Sequence, residues 1–227
     1  MKTLGVLGGM GPLATVNFLE LVVKNTEVAA ERDHIRVFVD SNPAIPDRIS
    51  ALLHGGESPV PLMAEALRNL ETIGAEVIVM PCVTAHNFYN DLKPSPGTEF
   101  INMIDVLIET CQKRFRGKTA GVLSTSATLE LRTILNPLEA RGVPFITPNK
   151  AEQNEITRLI LNVKTNAPMN DTVRDFERVL DSMTSRGAEY FLLGCTELPV
   201  IANHSGAGYV FLDAALELAR AAISACK

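Results

Sequence analysis

The sequence predicts an α/β protein of two pseudo-symmetric lobes, each a mostly parallel sheet flanked by helices, with a site in the cleft between them. Three observations predict it. Short apolar runs alternate with stretches of helical periodicity along the chain. The runs are apolar throughout, as in strands buried on both faces, rather than alternating as in half-exposed ones. The pattern also restarts near the middle of the chain. Strands alternating with helices give βαβ units and a parallel sheet.

Residues 4–7 form a buried strand ending at Gly8, and 12–29 read as an amphipathic helix. Residues 36–40 are a second strand, followed by helical spacing over 59–73. Residues 77–80 are a third strand, with a helix near 85–92. The restart then gives a strand over 119–124, a helix over 129–141 and a short strand at 144–146. Helices over 152–163 and 171–186, a strand at 190–193 and a final helix over 211–226 complete the pattern.

The restart is an internal repeat. Gly5-Val6-Leu7 matches Gly121-Val122-Leu123. Gly74-Ala75-Glu76, an apolar strand and Cys82 match Gly187-Ala188-Glu189, an apolar strand and Cys195, with identical spacing. A hydroxyl residue follows each cysteine within two positions. The repeat predicts one lobe from residues 1–100 with 208–227, and a second from 101–207. Each then carries a cysteine at the carboxyl end of a strand, where α/β folds bind ligands.

The 227 residues suffice for two such lobes. With 21 basic and 26 acidic residues and no long basic run, a nucleic-acid partner and a polybasic membrane contact are excluded. No stretch reaches the roughly eighteen apolar residues of a membrane helix. The opening residues lack the h-region and cleavage site of a signal peptide, so a cytoplasmic location is expected. The cysteines Cys82, Cys111, Cys195 and Cys226 are widely spaced and read as free thiols. Cys111 and Cys226 fall within helical patterns and read as packing residues.

Cys82 and Cys195 read differently. A cysteine between a strand and a helix start lies near unpaired backbone N–H groups, and the helix dipole there favours thiolate. Two thiols on opposite walls of one cleft allow stereoinversion: one removes a proton from carbon, and the other returns a proton to the opposite face. Thr84 and Thr196 are expected to cap the following helices and to contact a substrate carboxylate. Ser124, Thr125 and Ser126 form a hydroxyl-rich turn where the first lobe has its glycine-rich turn; both are expected to offer N–H groups to an anion. His86 either tunes Cys82 or makes a structural hydrogen bond. Glu197 is either a proton partner of Cys195 or a helix-start residue.

The segments Gly8-Gly9-Met10-Gly11-Pro12, Asn42-Pro43-Ala44-Ile45-Pro46-Asp47-Arg48, Pro81-Cys82-Val83-Thr84-Ala85-His86 and Gly194-Cys195-Thr196-Glu197-Leu198 resemble the aspartate/glutamate racemase family, over essentially the whole chain. The resemblance implies racemisation of an amino acid bearing carboxylate groups, with no cofactor and no metal, at a site between two lobes of what is usually a homodimer. It makes Cys82 and Cys195 the catalytic pair. Met10, Arg48, Val83, Thr84, Ser124, Thr125, Lys164 and Thr196 become substrate-binding positions, with Arg48, on a proline-rich loop, and Lys164 holding carboxylates. Val83 stands where the family usually has Asn, a departure that points to altered side-chain specificity.

Other readings fit less well. Gly5, Gly8, Gly9 and Gly11 do not make the GxGxxG of a dinucleotide site, although Asp40 could mimic its ribose-binding acid. No cluster has zinc spacing. Related two-lobed enzymes such as maleate isomerases and arylmalonate decarboxylases use a nucleophilic cysteine, the latter needing only one. A catalytically inactive amino-acid-binding protein is the remaining alternative.

Overall fold

Leu4–Gly8 (β1) is buried along its length, as its unbroken apolar character requires. The structure, a computed structural model, describes residues 1–165, 169–206 and 208–227, with their side chains except those of Lys164 and Asn170. The chain forms two compact units: Met1–Val106 with Ala215–Lys227, and Leu107–Ala214.

In unit 1, β1 is followed by α1 (Pro12–Asn25), β2 (Val37–Ser41), α2 (Arg48–Leu53), α3 (Val60–Thr72), β3 (Val77–Val79), a 3₁₀ helix (Thr84–Asp91), β4 (Glu99–Phe100) and α4 (Met103–Arg114), which runs on into unit 2. The strands lie in the order β2-β1-β3-β4, all parallel, with Leu4 paired to both Val37 and Val77. In unit 2, β5 (Ala120–Leu123), α5 (Ser126–Glu130), α6 (Leu135–Ala140), β6 (Phe145–Ile146), α7 (Lys150–Lys164), α8 (Met169–Ser185), β7 (Tyr190–Leu193), α9 (Leu198–Ala202) and β8 (Phe211–Asp213) give the order β6-β5-β7-β8, again all parallel. Among the described residues the two sheets are thus the same four-stranded arrangement. The last helix, α10 (Ala214–Cys226), belongs to unit 1, and Lys2 N–H donates to Cys226 O at 2.8 Å.

The repeated Gly-Ala-Glu has a structural cause. Gly74 and Gly187 end helices with φ of 94° and 103°, a region L side chains avoid. Ala75 and Ala188 leave room for Gly5 and Gly121, where an added Cβ would come within 2.8 and 3.2 Å of the alanine methyls. The glutamates clamp the strand starts. Thr3 N–H donates to Glu76 Oε2 at 3.0 Å and Glu76 N–H to Thr3 O at 2.9 Å. In unit 2 the same pair is Thr119 N–H to Glu189 Oε2 at 2.8 Å and Glu189 N–H to Thr119 O at 2.9 Å.

Each sheet has its own core. Leu7, Met63, Leu67, Leu70, Ile78 and Met80 pack in unit 1, and Ile156, Leu159, Phe176, Leu180 and Phe191 in unit 2. Each such side chain contributes about 1.5–3 kcal/mol on burial.

Several elements differ from the sequence expectation. The helix expected over 12–29 stops at Asn25, where Asn25 Nδ2 and Thr26 Oγ1 bond Leu21 O and Val22 O. The helix over 85–92 is a 3₁₀ helix from Thr84. The single helix over 129–141 is two, broken at Arg132, whose φ is 56°; Pro137 falls in the first turn of α6, where its missing N–H costs nothing. The helix expected over 211–226 begins with β8, since a three-residue apolar strand has no periodicity of its own. Arg48 is not on a loop: Asp47 caps α2 by accepting Ser50 N–H at 2.7 Å, and Arg48 is its first residue.

Candidate active site

Cys82 and Cys195 follow β3 and β7, each an inner strand that occupies the same place in its sheet. In a parallel sheet this is the carboxyl edge, where strand ends and helix starts present backbone polar groups.

In unit 1, half-buried Cys82 packs on the cluster that contains Met10, Ile45 and Met80. The 3₁₀ helix starting at Thr84 places His86 in the core. His86 Nδ1 is 2.9 Å from Cys82 O, and Met103 N–H donates to Nε2 at 3.0 Å. Because Nε2 accepts, the proton sits on Nδ1 and is donated to Cys82 O. Burial lowers the imidazole pKa to about 4, so the ring is neutral. His86 therefore pins the Cys82 backbone and brings no charge to the thiol.

The helix α2 packs against that 3₁₀ helix. Arg48 Nη1 donates to Ile45 O at 3.1 Å and Pro46 O at 2.9 Å. These bonds fix the guanidinium, and among the described residues Nε and Nη2 carry no protein partner, so one edge of the fork remains for a carboxylate. Val83 is buried, an apolar environment that suits valine and would penalise an unpaired amide. The Gly9 N–H is already used by Thr15 Oγ1 at 2.9 Å, which removes one donor expected for an anion. Asn69 Nδ2 donates to Asp40 Oδ2 at 3.1 Å.

In unit 2, Ser124 is fully buried and its hydroxyl donates to Gly194 O at 2.7 Å, joining the end of β5 to the residue before Cys195. A Cβ on Gly194 would lie 2.7 Å from Ile134 Cδ1 and 3.0 Å from Ser124 Oγ, so a larger residue would have to displace these side chains. Thr125 caps α5, accepting Thr128 N–H at 3.2 Å. Cys195 is buried against Leu123, Ile156 and Leu198. Its Sγ donates to Glu197 Oε2 at 2.9 Å, and Thr196 Oγ1 reaches the same oxygen at 3.3 Å.

Thr84 and Thr196 do not cap helices as expected. Thr84 lies inside the 3₁₀ helix, and α9 is preceded by Glu197. The helix after Cys195 has five residues, too short for a strong dipole. The Lys164 side chain lies outside the described residues. The Asp47 cap is itself readable in the sequence, as an Asp standing before a helical run.

Cys111 and Cys226 are buried in the core, and burial pushes the Cys226 thiol up to about 11. A cavity of about 410 Å³ in unit 2 is lined by Cys111, Phe115, Arg116, Arg141 and Pro144. These residues precede β5 and β6, on the sheet edge opposite Cys195. Its arginines follow the carboxyl ends of α4 and α6, where cations complement the helix dipoles. Among the described residues no helix is long and apolar enough to cross a membrane.

Two parallel four-stranded sheets of one design, each with a cysteine at the carboxyl end of the same strand, define a duplicated α/β enzyme fold. The chain matches the Asp/Glu/Hydantoin racemase family over residues 7–222; it belongs to that family and is an isomerase. An aspartate racemase of Picrophilus torridus is 32% identical, covering 100% of this chain and 94% of its own, with a TM-score of 0.88. An aspartate racemase homologue of Pyrococcus horikoshii OT3, 22% identical over 100% of this chain and 99% of its own, shares the fold with a TM-score of 0.78. The broad specificity amino-acid racemase RacX of Bacillus subtilis (strain 168) is 23% identical, over 97% of this chain and 96% of its own.

Proposed function

We propose that the protein racemises aspartate, glutamate or a related amino acid without a cofactor, Cys82 and Cys195 acting on opposite faces of the α-carbon. The observation that carries this reading is the recurrence of a cysteine at the same strand end in both units. A packing cysteine has no reason to recur there. One thiolate takes the α-proton, and the other thiol gives its own proton to the opposite face, leaving the two sulfurs in exchanged protonation states. Arg48, held by the Ile45 and Pro46 carbonyls, binds a carboxylate and stabilises charge developing at carbon. Lys164 is assigned a second carboxylate, and Met10, Thr84, Ser124, Thr125 and Thr196 shape the site. The apolar Val83 widens the substrate range beyond aspartate and glutamate, in keeping with the broad specificity of the Bacillus subtilis relative. The protein acts as a cytoplasmic homodimer, where its thiols stay reduced.

The test is loss of optical rotation across a panel of L-amino acids, with deuterium uptake at Cα followed in parallel. Uptake with inversion supports the reading. Cys82→Ser and Cys195→Ser each abolish inversion, while Cys195→Ser, which keeps the Cys82 base, retains α-proton exchange with one enantiomer. Full racemisation by either variant, or binding with no exchange across the panel, refutes it.

A further inference from the structure

Resting on the two-thiol reading above, we infer that Glu197 holds the resting proton on Cys195, so that Cys195 waits as the acid and Cys82 as the base. Glu197 is then a positioning residue for a proton. The matched positions two residues after each cysteine differ in charge: Glu197 in unit 2, Thr84 in unit 1. Glu197 Oε2 takes the Cys195 S–H at 2.9 Å and is anchored by Thr196 Oγ1 at 3.3 Å.

In this contact the thiol is the donor and the carboxylate oxygen the acceptor, which keeps the proton on sulfur. Ionising Cys195 would place two negative charges in contact in a partly buried setting, which disfavours it. At Cys82 the corresponding residue is neutral, His86 is neutral, and an eight-residue 3₁₀ helix begins two residues on. The duplicated fold thus carries an unequal pair. In one direction Cys82 thiolate takes the α-proton and Cys195 S–H protonates the other face. This leaves Cys82 as thiol and Cys195 as thiolate beside an anion. A proton must return to Cys195 before that direction runs again.

The test reads protonation directly, with no dependence on turnover. In a Cys82→Ser background, the ultraviolet absorbance of thiolate at neutral pH is compared for Glu197 and Glu197→Gln, which removes the charge at nearly constant size. The thiolate fraction of Cys195 rises roughly ten-fold or more, the effect of one pH unit, and the rise vanishes when Cys195→Ser is added. Glu197→Asp, which keeps the charge on a shorter arm, falls between the two and serves where the glutamine variant does not fold. An unchanged thiolate signal overturns the inference. A fall overturns it too, since Glu197 would then be drawing the proton off sulfur. Absence of α-proton exchange in the parent enzyme refutes the two-thiol reading instead, and leaves the absorbance result standing.

Discussion

Acidification acts on the Cys82 segment through His86. The ring is buried between Cys82 O and Met103 N–H, and its folded pKa lies near 4 against an ordinary 6.5. The depressed value means that the unfolded chain binds the proton first. The contribution of neutral His86 is therefore complete above pH 6.5 and is lost as pH falls toward 4. At about 1.36 kcal/mol per pH unit, the loss over that window is about 3 kcal/mol. His86→Asn removes the titration and keeps a donor toward Cys82 O, but leaves Met103 N–H without its acceptor, a cost of about 1–3 kcal/mol at neutral pH. Urea unfolding of both proteins from pH 7.5 to pH 4 measures the difference, with other titrating groups cancelling between them. The wild type is the more stable above pH 6.5, and the two curves converge or cross by about pH 4. Stability curves that run parallel through the window refute the neutral, doubly bonded histidine.

Two further outcomes follow from local geometry. Gly194→Ala drives a methyl against Ile134 and Ser124, costs about 1–3 kcal/mol by thermal unfolding, and lowers kcat by displacing the next residue, Cys195. An unchanged melting temperature would show that the close approach is not tight. Asp47→Ala removes the cap of α2, costing about 1 kcal/mol, and raises KM more than it lowers kcat because Arg48 is the first residue of that helix. A fall in kcat with KM unchanged would remove Arg48 from carboxylate binding.

The repeat was legible because it is carried by residues with no substitute: the glycines that end α3 and α8, the alanines packed on Gly5 and Gly121, and the clamping Glu76 and Glu189. The same matching placed Cys82 and Cys195 at equivalent strand ends. Short elements were harder to read. β4 has two residues and β8 three, too few to show a period. The break at Arg132 depends on one left-handed residue that its own side chain does not announce. The neutral state of His86 and the bond from Cys195 to Glu197 also required the fold, because both depend on burial and distance. The sequence does contain the charge difference between Thr84 and Glu197, but it marks an asymmetry only once Glu197 is placed beside the Cys195 sulfur.

The return of α10 to unit 1, tied by Lys2 to Cys226, has a consequence during synthesis. Unit 2 is continuous in the chain and can complete its core as soon as residues up to Ala214 have emerged from the ribosome. Unit 1 begins to emerge first yet must wait with the seat of α10 uncovered until residues 215–227 follow, so the earlier-made unit is the later to mature. A released chain truncated after Ala214 would carry a protease-resistant second unit beside a first one still open to cleavage.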